Sequence, residues 1–348
     1  MSITRRSFVS AAAVPYLQSG LKAQDSTIRV ATMYAFDPAE MERIQAAAPD
    51  AKIEIAVCKT HEEFRAKLRD ADVVYDSLRA DDLDYAPKLR WLQSGGAGME
   101  GLEQKIKDSP IVVTNMARVF AHGISETAFA LLLSLTRGIT KYYGPQFAKR
   151  QMKPVGTVKS ADHQELAGRT MGIVGMGGIG TMIARRAHYG FDMHVVGTDA
   201  KPIPKPDFVD ELHDPSYFSK MAAQVDVLVT AAPLTPKTER MINEAVLRKM
   251  KPTAYYLAMS RGKLFDDLAL VKALQEGWIA GAGLDVFPIE PPPADHPIFD
   301  CRNVAMTAHT SGWSVDRQIR LIDLFADNMR RYAGGLPLMN VVDKAAGY

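Results

Sequence analysis

Short apolar runs along this chain alternate with longer stretches whose apolar residues recur every three to four positions. That is the pattern of strands alternating with amphipathic helices. It predicts a strand over 28–34, a helix over 38–48 opened by Pro38, a strand over 52–57 and a helix over 60–70. Thr60 caps that helix and Glu63 completes a capping box. Strands over 72–75, 89–93 and 111–114 follow, with a helix over 99–107. The order implies a small parallel-sheet domain. A long helix is expected over 123–143. Its segment 128–135 is almost wholly apolar, so it reads as covered on all sides, able to run between domains and to pack on a second subunit. The polar stretch 144–163 reads as a surface loop.

A second series begins at Leu166. Strands are expected over 171–174, 193–197, 225–230, 253–259, 279–286 and 303–306. Helices are expected over 181–189, 243–250 with Asn243 as cap, 266–276 ended by Gly277, and 315–332. The fold class is therefore α/β, with two doubly wound parallel-sheet domains.

The turn after strand 171–174 carries G-x-G-x-x-G at Gly175, Gly177 and Gly180, and Asp199 stands about 20 residues further on, at the end of the next strand. Strand, glycine turn, helix, strand and acid in this register form a dinucleotide fingerprint. Gly175 permits the sharp turn, Gly177 lets backbone approach a diphosphate, and Gly180 lets helix pack closely on strand. Gly178 and Ile179 open the helix, where unpaired N–H groups and the positive dipole end favour an anion. Asp199 can accept bonds from ribose hydroxyls and would repel a 2′-phosphate, so NAD is expected rather than NADP. Lys201 pulls the other way.

The 348 residues leave room for two domains, and a net charge of +2 gives no electrostatic case for nucleic acid. Cys58 and Cys301 have no metal-ligand spacing and read as free thiols; no metal is expected. No apolar run approaches a membrane span, so no stable membrane anchor is expected. Residues 2–9, with Arg5 and Arg6, resemble a twin-arginine export signal, followed by a weakly apolar segment interrupted by Pro15. Residues 1–24 are then expected outside the fold and the protein in the periplasm. The other reading is a basic tail on a cytoplasmic protein.

Arg261, Glu290 and His309 each fall just past the end of a predicted strand, and so would face one crevice. A guanidinium can grip a carboxylate and polarise the carbonyl beside it. An imidazole can exchange a proton with the developing alkoxide, and a carboxylate on its other nitrogen fixes the tautomer. Pro233 and Thr238 lie in the loop after strand 225–230, where a ligand of an open sheet binds. The glycine-rich segment 94–98 reads either as an anion site or as a flexible turn.

With Leu89–Gly98, Gly172–Gly180, Ser260–Leu264, Gly281–Phe287 and Asn303–His309, the chain resembles the D-isomer-specific 2-hydroxyacid dehydrogenases, of the glyoxylate/hydroxypyruvate reductase kind, from about residue 28 to 342. The resemblance implies hydride transfer between NAD(H) and a small 2-keto or D-2-hydroxy acid. It makes Arg261 the substrate binder, His309 with Glu290 the acid/base pair, and Asp285 a neighbour of the nicotinamide carboxamide. The backbone of Gly96, Ala97 and Gly98 would hold the substrate carboxylate. It further implies a Rossmann NAD-binding domain (122–312) inserted in a flavodoxin-like substrate domain (28–121 plus 313–348), and a homodimer.

Ala308, Ala258 and Ser260 depart from the family's usual residues, and His122 and Trp313 are bulky groups near the expected cleft. Trp313 reads equally as a pocket wall or a hinge-packing aromatic. Arg79 would suit an acidic substrate or lie at the surface. The alternatives are an NAD-sensing, non-enzymatic dimer of the corepressor type, and a formate- or phosphite-type dehydrogenase, against which Glu290 speaks.

Overall fold

The computed structural model describes Leu21, residues 27–151 and residues 163–348. The export-signal reading of 1–24 lies outside the described residues except at Leu21. That residue corrects one part of it, because Leu21 is half-buried against the first hydrophobic core instead of standing clear of the fold.

Two parallel sheets organise the described chain. The first contains β1 (Thr27–Thr32), β2 (Lys52–Val57), β3 (Val73–Asp76), β4 (Trp91–Ser94) and β5 (Val112–Thr114). Their order is β2-β1-β3-β4-β5, the flavodoxin-like arrangement. The second contains β6 (Thr170–Val174), β7 (His194–Thr198), β8 (Glu211–His213), β9 (Val227–Thr230), β10 (Tyr255–Ala258), β11 (Gly281–Leu284) and β12 (Val304–Met306). Its order, β12-β11-β10-β9-β6-β7-β8, is the Rossmann order extended by one strand. Every residue of β9, β10 and β11 is buried, which is why these segments read as unbroken apolar runs. β8 and the helix Phe218–Gln224 carry no comparable pattern and were not expected.

The closing helix Val315–Gly334 returns to the first sheet, on which it packs Ile322, Phe325, Met329 and Tyr332. The Phe325 ring lies 4.5 Å from Tyr75 and 5.6 Å from Trp91 between centroids. Each such fully buried side chain contributes about 2 kcal/mol by area removed from water. The chain thus leaves the first sheet after β5 and rejoins it after β12. The two crossings touch: a Cβ on Gly123 would lie 2.7 Å from the Ser311 carbonyl, and one on Gly312 3.2 Å from the Phe120 ring.

Two expectations need correction. The long helix is Ala121–Thr136, because Gly138 turns left-handed (φ 71°) and a π-helical turn, Ile139–Tyr143, and a short helix, Gly144–Ala148, follow. It is not covered on all sides. Leu131, Leu132 and Leu135 are buried, while His122, Glu126 and Ala130 form an exposed stripe at helical spacing. At Thr60, the hydroxyl accepts the Glu63 N–H at 3.2 Å, but the Glu63 carboxylate bonds the N–H of Lys59, one residue early for a reciprocal box. The full box forms instead between Asp37 and Glu40.

Candidate active site

The glycine turn joins β6 to the helix Gly178–Phe191, three residues earlier than expected at its start. Gly175 has φ 91°, a conformation side chains resist, and a Cβ there would meet the backbone of Ala232 at 2.7 Å. No side chain caps the helix, so the N–H groups of Gly178, Ile179 and Gly180 remain for a ligand, and nothing lies within 4 Å of where a Cβ of Gly177 would stand. Asp199 accepts the Met176 N–H on one oxygen and the Lys201 N–H on the other, each at 2.8 Å, which fixes the carboxylate at the lip of the turn. The Lys201 ammonium is drawn aside, 4.2 Å from the centre of the Tyr348 ring. These features fit a dinucleotide: an uncapped helix start for a diphosphate, open space over Gly177 and an anchored acid for a ribose. Thr238 donates its hydroxyl to the Pro233 carbonyl at 2.7 Å and closes the loop after β9.

Beside the turn, at the carboxyl ends of β10, β11 and β12, stand the three expected polar residues. His309 Nδ1 is 2.7 Å from Glu290 Oε2, and Glu290 Oε1 accepts the Phe287 N–H at 2.8 Å. The carboxylate is therefore fixed from both sides, and the imidazole keeps Nε2 for a reactant. His309 has a left-handed backbone (φ 55°), maintained by Asp285. The Asp285 carbonyl accepts the His309 N–H at 2.7 Å. Its Oδ1 accepts the Thr307 hydroxyl and the N–H groups of Thr310 and Ser311, and its Oδ2 accepts the Ser311 hydroxyl. Asp285 is thus the buried anchor of the His309 loop, a role the sequence did not disclose.

Arg261 follows β10, and its Nη1 donates to the Ser260 carbonyl at 2.9 Å. The Ser260 hydroxyl beside it is buried without a hydrogen-bond partner. Arg261 Nε pairs with Glu100, from the loop after β4 in the other sheet. Burial acts to raise the Glu100 pKa. The bond to Arg261, the residue's own amide and the charges of Arg261 and His309 outweigh it and hold the carboxyl below the ordinary glutamate value. Glu100 thus pairs directly with the expected arginine and feels the charge of the expected histidine. A Cβ on Gly98 would collide with Arg261 Nη2 and lie 2.6 Å from Glu100 Oε2, so a side chain there would have to push the ends of both aside. The Gly96 carbonyl accepts the Met116 N–H at 2.9 Å and the Ala97 carbonyl accepts Asn115 Nδ2 at 2.8 Å. In planar trans peptides those bonds turn the N–H groups of Ala97 and Gly98 the opposite way.

Other flagged residues lie further out. Trp313 is 68 % exposed, with the Arg317 guanidinium 5.6 Å from its ring centre, so it is not packed into the hinge. Arg79 is exposed, its N–H bonded to Asp82. His122 is exposed at the start of its helix; partial burial, then Arg320 and Arg186, push its pKa down. Cys58 and Cys301 are free thiols, and among the described residues no three His, Cys, Asp or Glu side chains form a metal-binding group. No helix among them is long and apolar enough to cross a membrane. Glu100 was missed although it follows the glycine loop directly; its charge alone does not separate it from a surface acid.

A family model described as the NAD binding domain of D-isomer specific 2-hydroxyacid dehydrogenases matches residues 129–311. The chain is 36% identical over 290 residues to a glyoxylate reductase of Korarchaeum cryptofilum, covering 80% of this chain and 84% of that one. It is 35% identical over 285 residues to the glyoxylate reductase of Pyrococcus furiosus, with 79% and 83% covered. Among solved structures, an NADPH-dependent glyoxylate/hydroxypyruvate reductase from Sinorhizobium meliloti, in complex with NADP and sulfate, superposes with a TM-score of 0.74 at 26% identity, over 93% of this chain and 100% of that one.

Proposed function

The chain belongs to the D-isomer-specific 2-hydroxyacid dehydrogenase family, and on that footing we propose that it reduces a small 2-keto acid such as glyoxylate or hydroxypyruvate with NADH, and oxidises the D-2-hydroxy acid in reverse. The observation that carries this reading is the His309–Glu290 pair beside Arg261, next to an uncapped dinucleotide turn. The relatives named glyoxylate reductase support the substrate class.

In this reading the nicotinamide, when bound, supplies the hydride. Arg261 grips the substrate carboxylate and polarises the keto oxygen, and the N–H groups of Ala97 and Gly98 complete the anion site. His309 Nε2 gives a proton to the forming alkoxide, and Glu290 stabilises the imidazolium that precedes that transfer. Asp285 keeps His309 in place through its loop. NAD is favoured over NADP because Asp199 stands at the lip of the turn and Lys201 is engaged with Tyr348. The related Sinorhizobium meliloti reductase is NADPH-dependent and holds NADP, so the preference proposed here for NAD rests on Asp199 and Lys201 alone. Twin-arginine export to the periplasm and a homodimer built on the exposed stripe of the helix Ala121–Thr136 belong to the same proposal.

The test is loss of NADH absorbance with glyoxylate, hydroxypyruvate, pyruvate and phenylpyruvate, each repeated with NADPH. Turnover of one or more acids with NADH preferred is expected. Binding of NADH without turnover of any acid contradicts the assignment.

A further inference from the structure

From the side of the first sheet, Arg118 approaches the dinucleotide turn at Gly178. It lies in the crossing after β5, exposed, with a left-handed backbone (φ 74°) that glycine would adopt without strain. The segment before it is pinned. The Ala117 N–H bonds Asn115 Oδ1 at 3.0 Å, and Asn340 Nδ2 donates to the Ala117 carbonyl at 2.8 Å. On the far side the Arg118 carbonyl accepts the Ala121 N–H at 3.2 Å.

The stem of Arg118 rests on Gly178. A Cβ on Gly178 would lie 2.6 Å from Arg118 Cγ, 2.9 Å from its Cα and 3.1 Å from its Cβ. Arg118 thus fills the space that a side chain of residue 178 would take, at the first turn of the uncapped helix. Among the described residues the Arg118 guanidinium forms no ion pair. A cation on a stem seated against Gly178, beside N–H groups left open for an anion, lacks only the anion.

We propose that Arg118 is a cofactor-binding residue, whose guanidinium bonds the diphosphate of the dinucleotide across the cleft and supplies the side chain that Gly178 lacks. The inference rests on the dinucleotide reading of the glycine turn. It also couples cofactor binding to the relative position of the two sheets, because the helix start belongs to one and Arg118 to the crossing from the other.

The test is titration of the full-length protein with NADH, ADP-ribose and adenosine, followed by calorimetry. Arg118→Gly suits the left-handed backbone, so its unfolding midpoint without nucleotide should not fall. Its Kd for NADH and ADP-ribose should rise about tenfold or more, as expected for loss of a charge-assisted bond, with adenosine unaffected. Arg118→Lys should recover part of the loss. Unchanged NADH and ADP-ribose binding by Arg118→Gly overturns the inference, and so does an equal loss for adenosine. A parent protein that binds none of the three overturns the dinucleotide reading instead, and with it this inference.

Discussion

Arg261 and Glu100 form an ion pair that ties the loop after β10 to the loop after β4, so the two sheets are joined by the group assigned to grip the substrate. A 2-keto acid must share or displace the Glu100 carboxylate on that guanidinium. Both side chains are partly exposed, which limits such a pair to about 1 kcal/mol or less. Glu100→Gln should therefore lower KM for glyoxylate by no more than about fivefold, from the same limit. Steady-state kinetics at fixed saturating NADH reads this directly, and a rise in KM would make Glu100 a support for Arg261 instead.

The 2.7 Å contact between His309 Nδ1 and Glu290 Oε2 assigns the two residues unequal parts. His309→Ala removes the proton donor and should lower kcat by about 10²–10⁴, with NADH affinity retained. Glu290→Gln keeps a hydrogen-bond partner but loses the charge, so its loss should be smaller and should grow as the pH rises. Matching pH profiles for Glu290→Gln and the parent would remove the electrostatic role of Glu290.

Asp285 holds the His309 loop through four side-chain acceptances and its own carbonyl. Asp285→Asn keeps an acceptor oxygen for Thr307 and for the Thr310 and Ser311 N–H groups but loses the carboxylate charge and reverses the Ser311 hydroxyl bond. It should cost about 1–3 kcal/mol of local stability. Hydrogen exchange at 307–311 should accelerate while the first sheet is unaffected, and kcat should fall with the loop. Unchanged exchange there would show that the loop stands without Asp285.

Much of this arrangement was legible in the chain, and the rest was illegible for physical reasons. The dinucleotide turn could be read because strand, glycines, helix and Asp199 are local, and local order leaves a periodic trace. Arg261, Glu290 and His309 could be placed because each follows a strand whose apolar run is unmistakable. Glu100 and Arg118 could not. Their parts depend on contacts between segments far apart in sequence, which no periodicity encodes. The length of the helix Ala121–Thr136 was overestimated because apolar periodicity continues past Gly138, where a positive φ ends the helix. β8 was missed because three half-polar residues at a sheet edge resemble a loop.

Asp226 ties the starts of β6, β9 and β10 together. It accepts the Thr170 N–H at 2.9 Å and the Lys251 ammonium at 2.8 Å, and its carbonyl accepts the Tyr255 N–H. Burial acts to raise its pKa, but Lys251 and the Thr170 N–H outweigh it and hold the value below the ordinary 3.8. A carboxyl whose folded value is depressed stabilises the fold above its unfolded value, and that contribution is lost as the pH falls through the folded value. Asp226→Asn should therefore lower stability near neutral pH by about 1–3 kcal/mol and flatten the acid limb below about pH 4. Urea unfolding across that range checks both, and an acid limb as steep as the parent's would contradict the assignment.

The central claim is that this cleft reduces a 2-keto acid through Arg261 and His309. The most direct measurement is NADH oxidation with hydroxypyruvate by the parent, Arg261→Ala and His309→Ala proteins, with the configuration of the product determined. The parent should turn over and yield the D-hydroxy acid. Arg261→Ala should fail chiefly in KM, and His309→Ala in kcat with NADH still bound. A parent that yields the L-hydroxy acid, or variants that retain full activity, would contradict the account.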